Sequence, residues 1–88
     1  MNTKYYLTSG ISTAVENSSS FAKEISTAVD KYVAHDWGDT CDEDQELNNK
    51  ALEDGSRIIA KYSTSKGNIF IITEADRSAT TILFANEY

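Results

Sequence analysis

Eighty-eight residues leave room for one domain with one modest core, so a single domain over residues 1–88 is expected. Fourteen acidic side chains against eight basic ones give a net charge of -6, a sign that repels nucleic acid and excludes a direct nucleic-acid binder. No apolar run approaches the roughly 18 residues that cross a bilayer, and the lone cysteine, Cys41, excludes an internal disulfide. The first residues lead into a tyrosine-rich stretch and not an apolar leader, so a cytoplasmic protein with no membrane partner is expected.

In chain order, residues 4–8 (KYYLT) are short and β-prone, and Ser9-Gly10 is expected to close them. Residues 11–16 suggest a brief helical turn or two. The run Asn17-Ser18-Ser19-Ser20 reads as a loop that supplies an N-cap. Phe21, Ile25, Ala28, Val29, Tyr32 and Val33 then recur at helical spacing and mark one buried stripe. That helix stops near Ala34, and His35-Asp36-Trp37-Gly38-Asp39 reads as a connector turning at Gly38.

A further helix is well punctuated. Thr40 with Glu43 fits a capping box, and Asp42, Glu43 and Asp44 suit the positive end of a helix dipole. Leu47, Ala51 and Leu52 are expected on its inner face, with Gly55 as its left-handed stop. Residues 57–63, 68–74 and 79–85 are β-branched or aromatic runs joined by turns at 64–67 and 75–78. Ile58, Ala60 and Tyr62 alternate on one face, as do Phe70 with Ile72 and Ile82 with Phe84, while Ile59, Ile69, Ile71 and Leu83 are expected to make the opposite face apolar too. Such a sheet needs a second cover, from the N-terminal segment or from another subunit, so a homodimer through Ile59, Ile71 and Leu83 is one expectation. The expected class is α+β: a short N-terminal strand and helices, then a three-stranded antiparallel meander joined by the 4–8 strand.

The most distinctive chemistry is electrostatic. Asp36, Asp39, Asp42, Glu43, Asp44, Glu46, Glu53 and Asp54 stand close together with only Lys50 among them, and they are the candidate partner-binding residues. A metal site needs three or four convergent ligands; His35, Asp36, Asp39 and Cys41 show no recognised spacing, so no metal and no cofactor is expected. Cys41 is ringed by carboxylates, which oppose the thiolate that a nucleophile requires, and no catalytic residue is assigned. No glycine-rich phosphate loop, G-x-S-x-G or H-E-x-x-H occurs.

Glu74, Asp76 and Arg77 form the most particular turn. The favoured reading is a braced hairpin, with Arg77 forked onto a carboxylate and the turn tied toward residues 36–39. The alternative is a small enzyme or ligand-binding domain whose site joins His35, Trp37, Asp39, Glu74, Asp76 and Arg77.

Two stretches, H-D-W-G-D at 35–39 followed by Glu43-Asp44, and I-I-T-E-A-D-R-S-A-T-T-I-L at 71–83 followed by Glu87-Tyr88, resemble a family of small uncharacterised proteins. Members are carried on bacterial plasmids and other mobile elements. The N-terminal third is similar only through Leu7-Thr8-Ser9-Gly10, where the family more often has a proline before the glycine. The resemblance implies no reaction. It implies a habitat, in which small acidic proteins often disarm restriction or CRISPR nucleases. The expectation is thus an anti-CRISPR-like inhibitor and not an enzyme, acting in the cytoplasm of a bacterial host. Its acidic face would occupy the basic nucleic-acid channel of a Cas effector or restriction enzyme.

Overall fold

A computed structural model describes residues 3–88. The element order is β1 (Lys4–Leu7), α1 (Ser9–Asn17), α2 (Ser19–Val33), α3 (Asp42–Asp54), β2 (Ile58–Thr64), β3 (Gly67–Thr73), β4 (Ala79–Phe84) and a 3-10 turn, Ala85–Glu87. The protein is α+β, with three helices on a four-stranded sheet ordered β1-β4-β3-β2. Strands β2, β3 and β4 pair antiparallel through the two turns that the sequence marks. The sheet is not a simple three-stranded meander, however. After the helices the chain returns with β4 beside β1 and running the same way, so the N-terminal strand pairs parallel with the last strand and the sheet is mixed. Among the described residues, no helix is long and apolar enough to cross a membrane.

The helices begin earlier than the sequence suggests. Ser9 and Gly10 do not close a strand; they open α1, whose N-cap Thr8 accepts the Ile11 N–H at its hydroxyl, 3.4 Å away. Glu87 reaches back over this helix start. Its carboxylate accepts from the Thr8 hydroxyl and the Phe84 N–H, both at 2.8 Å, where the helix dipole favours an anion. A Cβ at Gly10 would stand 2.7 Å from Glu87 Oε2, so a larger residue there pushes the carboxylate aside. The serine run is also mostly helical. Ser18 alone stays outside, ending α1 and capping α2 by accepting the Phe21 N–H at 3.2 Å.

Helix α2 lays Phe21, Ile25, Ala28 and Tyr32 on the sheet, while Val33 is left in solvent. It ends in a Schellman arrangement, with His35 N–H donating to Tyr32 C=O at 3.0 Å and Asp36 N–H to Lys31 C=O at 2.8 Å. His35 takes the left-handed position at φ 63° that glycine commonly fills.

Strand register decides the two faces. Ala60 stands opposite Ile71 and Tyr62 opposite Ile69, so Ile69 and Ile71 lie with Ile58, Ala60 and Tyr62 under the helices. The other face carries Ile59, Phe70, Ile72, Thr81 and Leu83. Ile71 is therefore on the opposite face from Ile59 and Leu83, and these three do not make one dimer surface. Part of the second face is covered by the chain itself: the Tyr88 ring lies 5.4 Å from Phe70, and Arg57 Nη2 donates to its hydroxyl at 2.9 Å.

A file of hydroxyls crosses the buried face. Tyr32 meets Thr73 at 2.6 Å, Thr73 meets Thr80 at 2.8 Å, and Thr80 meets Thr3 at 3.1 Å. Each hydroxyl satisfies the next, so the polar atoms are tolerated in an apolar core. Burial pushes the Tyr32 phenol up to about 12, against a hydrogen bond from Thr73 that lowers it, and burial pushes Tyr62 in the same direction. A raised folded pKa contributes stability that is complete below about 10, the ordinary tyrosine value, and is lost as pH rises through the folded value. Tyr32→Phe is expected to cost about 1 kcal/mol at pH 7 and to shrink the fall in stability between pH 10 and 12, measured by urea unfolding. The Tyr62 contribution remains as a residual slope.

Candidate functional site

Strand β2 is an outer strand, and its outward backbone groups belong to Ile59, Lys61 and Ser63. Residues 36–48 close that edge. The Asn48 side-chain amide pairs with Ile59 in both directions, Nδ2 donating to the carbonyl at 2.8 Å and Oδ1 accepting the N–H at 3.2 Å. Lys61 N–H donates to Thr40 Oγ1 at 2.8 Å, and Lys61 C=O accepts from Asp39 N–H at 2.9 Å. Ser63 N–H donates to Asp39 Oδ2, again at 2.9 Å.

The remaining residues of the H-D-W-G-D motif hold this segment in place. Trp37, 3% exposed, sets its ring edge-on to Tyr32 at 5.5 Å and donates Nε1–H to Asn49 Oδ1 at 2.8 Å. The His35 ring stacks on Trp37 at 5.6 Å. Asp36 accepts the Gly38 N–H at Oδ1, and its carbonyl accepts the Tyr62 hydroxyl at 2.7 Å. Gly38 bridges to Lys61 at φ 62°, and a Cβ there would collide with the Tyr62 ring.

Edge closure overrides two expectations about α3. The Thr40–Glu43 capping box is absent because the Thr40 hydroxyl is engaged elsewhere: it donates to Trp37 C=O at 2.6 Å and accepts from Lys61. Cys41 takes the N-cap position without a side-chain bond, leaving Asp42, Glu43 and Asp44 to meet the positive helix end. The inner face is Asn48 with Ala51, whereas Leu47 and Leu52 are 62% and 38% exposed. Gly55 ends the helix at φ 79°, as the sequence suggests.

Arg77 acts at the other end of α3. In the turn it takes φ 64°, and its guanidinium donates to Ala51 C=O at 2.7 Å and Ser56 C=O at 2.6 Å. It caps the negative end of the helix instead of forking onto a carboxylate or tying the turn to residues 36–39. Asp76 accepts from the Ser78 hydroxyl and N–H, which hold its carboxyl below the usual range, and Glu74 contributes its carbonyl to the turn.

Asp39 is anchored at Ser63, and Arg77 at Ser56, before β2 begins at Ile58. From Ile58 to Ser63 alone the strand runs about 16 Å. Asp39 and Arg77 thus stand toward opposite ends of β2, out of reach of each other, whereas Trp37 and Arg77 both reach α3, at Asn49 and Ala51. Among the described residues, no three His, Cys, Asp or Glu side chains gather as metal ligands would.

The eight candidate acids are all exposed, and they divide by role. Asp36, Asp39 and Asp54 serve local backbone. The Asp39 carboxyl is held below the usual range by Ser63, its N–H first, with help from Lys31 and Lys61. Asp54 is lowered likewise by the hydroxyl and N–H of Ser56. Asp36 and Asp39 also share a cleft of about 500 Å³ with Lys23 and Lys31, so positive charge from the same chain stands near them. Asp42, Glu43, Glu46 and Glu53 are different. At 3.6 residues per turn they fall within an arc of about 100°, opposite Asn48 and Ala51, with Lys50 among them. Asp44 instead falls between Ala51 and Asn48 around the helix and borders grooves shared with Arg57 and with Lys61.

No family model, curated protein or solved structure matches this chain.

Asn48→Ala is expected to cost about 2–3 kcal/mol, because both Ile59 backbone groups lose their partner. Leu47→Ala, at the leucine that the sequence assigns to the inner face, is expected to change stability by less than about 0.5 kcal/mol. Urea unfolding of the two variants checks the ranking.

Proposed function

We propose that this is a mobile-element inhibitor of a host nucleic-acid-targeting defence, of the anti-CRISPR or anti-restriction kind. Helix α3 binds a basic channel built for DNA or RNA and denies it to phosphates. The observation that carries this reading is charge density. Four carboxylates, Asp42, Glu43, Glu46 and Glu53, against Lys50 leave three net negative charges along one arc of a helix of 13 residues, about 20 Å long. That is one charge per about 7 Å, about half the density of a single nucleic-acid strand at roughly 3.4 Å, presented on a single face.

The arrangement supports the reading as well as the count. The inward residues Asn48 and Ala51 hold α3 against the sheet edge, so the opposite arc is free to meet a partner. A lysine- or arginine-rich channel approaching it exchanges bound counterions for fixed carboxylates, as it does with phosphates. The resemblance to plasmid-borne proteins supplies the setting, the cytoplasm of a bacterial host. Most residues that carry that resemblance build the scaffold behind the acidic arc, and Glu43 belongs to the arc itself.

The test is affinity for purified Cas effectors and restriction enzymes across salt, for the wild type and for Asp42→Lys, Glu43→Lys, Asp44→Lys and Glu46→Lys combined. Wild-type binding is expected to weaken steeply between 0.05 and 0.2 M salt. The combined variant is expected to lose about 100-fold or more at 0.15 M. Tight binding that neither salt nor charge reversal alters contradicts the mechanism.

A further inference from the structure

The two edges of the sheet are treated oppositely. Residues 36–48 cover the β2 edge with five hydrogen bonds, whereas β1 forms the other edge. In the parallel ladder with β4, Lys4 N–H donates to Ser78 C=O and Thr8 N–H to Ile82 C=O, both at 3.2 Å. The even-numbered residues therefore turn their backbone toward β4, and Tyr5 and Leu7 turn their N–H and C=O groups away from the sheet. On the same four-residue strand Tyr5, Tyr6 and Leu7 are 44%, 51% and 43% exposed. Proteins usually guard such an edge with proline, a bulge or several charges. This strand has only Lys4, at its start.

We propose that β1 is a self-pairing edge, and that a second copy of this chain adds its own β1 antiparallel to form a continuous eight-stranded sheet. One register satisfies the geometry. Tyr5 faces Leu7 of the second copy and Leu7 faces Tyr5, each pair exchanging two backbone hydrogen bonds, while Tyr6 meets its own equivalent on the two-fold axis. In that register Lys4 stands opposite a neutral Thr8, so no like charges oppose.

Charge at the seam favours a second copy, since Lys4 of each stands opposite Thr8 of the other, whose hydroxyl is held by the Glu87 carboxylate, and charge elsewhere does not oppose it. The acidic helix α3 lies on the β2 side, at the far edge from β1. With strands about 4.8 Å apart, the two β2 strands of the pair stand about 34 Å from each other, and each α3 lies with its own β2. That exceeds the roughly 8 Å screening length at physiological salt, so two copies at net charge -6 associate without bringing their acidic arcs together. The joined area is on the order of 500 Å², well below the roughly 1,200–2,000 Å² of a stable complex, which makes the association weak and concentration-dependent.

Sedimentation equilibrium from 10 μM to 1 mM tests this, with amide hydrogen exchange as the second readout. The wild type is expected to move from the 9.7 kDa monomer toward twice that mass, with Tyr5 and Leu7 amides gaining protection over the same range. Tyr5→Pro removes an outward donor without touching the β4 ladder, and is expected to stay monomeric with native circular dichroism. If that variant does not fold, Leu7→Lys takes its place, and a monomer supports the proposal. A wild type that remains monomeric at 1 mM overturns it. So does a dimer that both folded variants retain, which puts the interface elsewhere. Protection of Tyr5 and Leu7 that appears only when a basic nucleic-acid-binding protein is added also overturns it, and assigns the edge to that partner.

Discussion

The Asn48 amide paired with Ile59 is the constraint on which the rest of this structure turns. A peripheral strand with unpaired backbone costs roughly 1–3 kcal/mol for each group buried without a partner. Here one side chain satisfies two such groups, and Thr40 with Asp39 satisfies the next three. The amide can reach Ile59 only if α3 turns its Asn48–Ala51 face inward. Once that orientation is set, Asp42, Glu43, Glu46 and Glu53 have only solvent to face. Edge closure and the acidic arc are two sides of one helix.

Much of the fold was legible because its strands obey local rules. The runs around Ile58, Ile69 and Ile82 alternate, and glycine and serine punctuate them. Helix α2 was legible from its apolar stripe and α3 from its C-terminal Gly55. What the sequence hid were side chains drawn away by distant partners. Thr40 looks like half of a capping box, but Lys61, 21 residues away, takes its hydroxyl. Leu47 looks like core, yet a polar residue next to it is the buried one, because the neighbouring surface is a strand edge that needs an amide. Faces within β3 were ambiguous since Ile69, Phe70, Ile71 and Ile72 are all apolar, and only the register with β2 separates them. The start of α1 was obscured because Ser9-Gly10 reads as a turn, while the stabilising carboxylate comes from Glu87 at the other end of the chain.

The candidate site was legible as a composition and not as an arrangement. Eight neighbouring acids suggested one surface; the structure divides them into Asp36, Asp39 and Asp54, which serve local turns and edges, Asp44, which borders the Arg57 groove, and Asp42, Glu43, Glu46 and Glu53, which face outward. Apart from Glu43 and Asp44, both motif stretches make contacts that brace the fold. His35 to Asp39 close β2, Thr73 and Thr80 carry the buried hydroxyl file, Arg77 caps α3, and Glu87 with Tyr88 fastens the last residues to α1 and Phe70. In the proposed inhibitor these residues work indirectly, by fixing a rigid helix whose carboxylates need not be ordered at the moment of binding.

Native-state hydrogen exchange at the outward amides of β2 tests the central claim most directly. If residues 36–48 close the edge, Ile59, Lys61 and Ser63 exchange only through openings nearly as costly as global unfolding, although β2 borders no further strand. Exchange of those three amides at the rate of freely exposed backbone, while the amides between β3 and β4 stay protected, would contradict it.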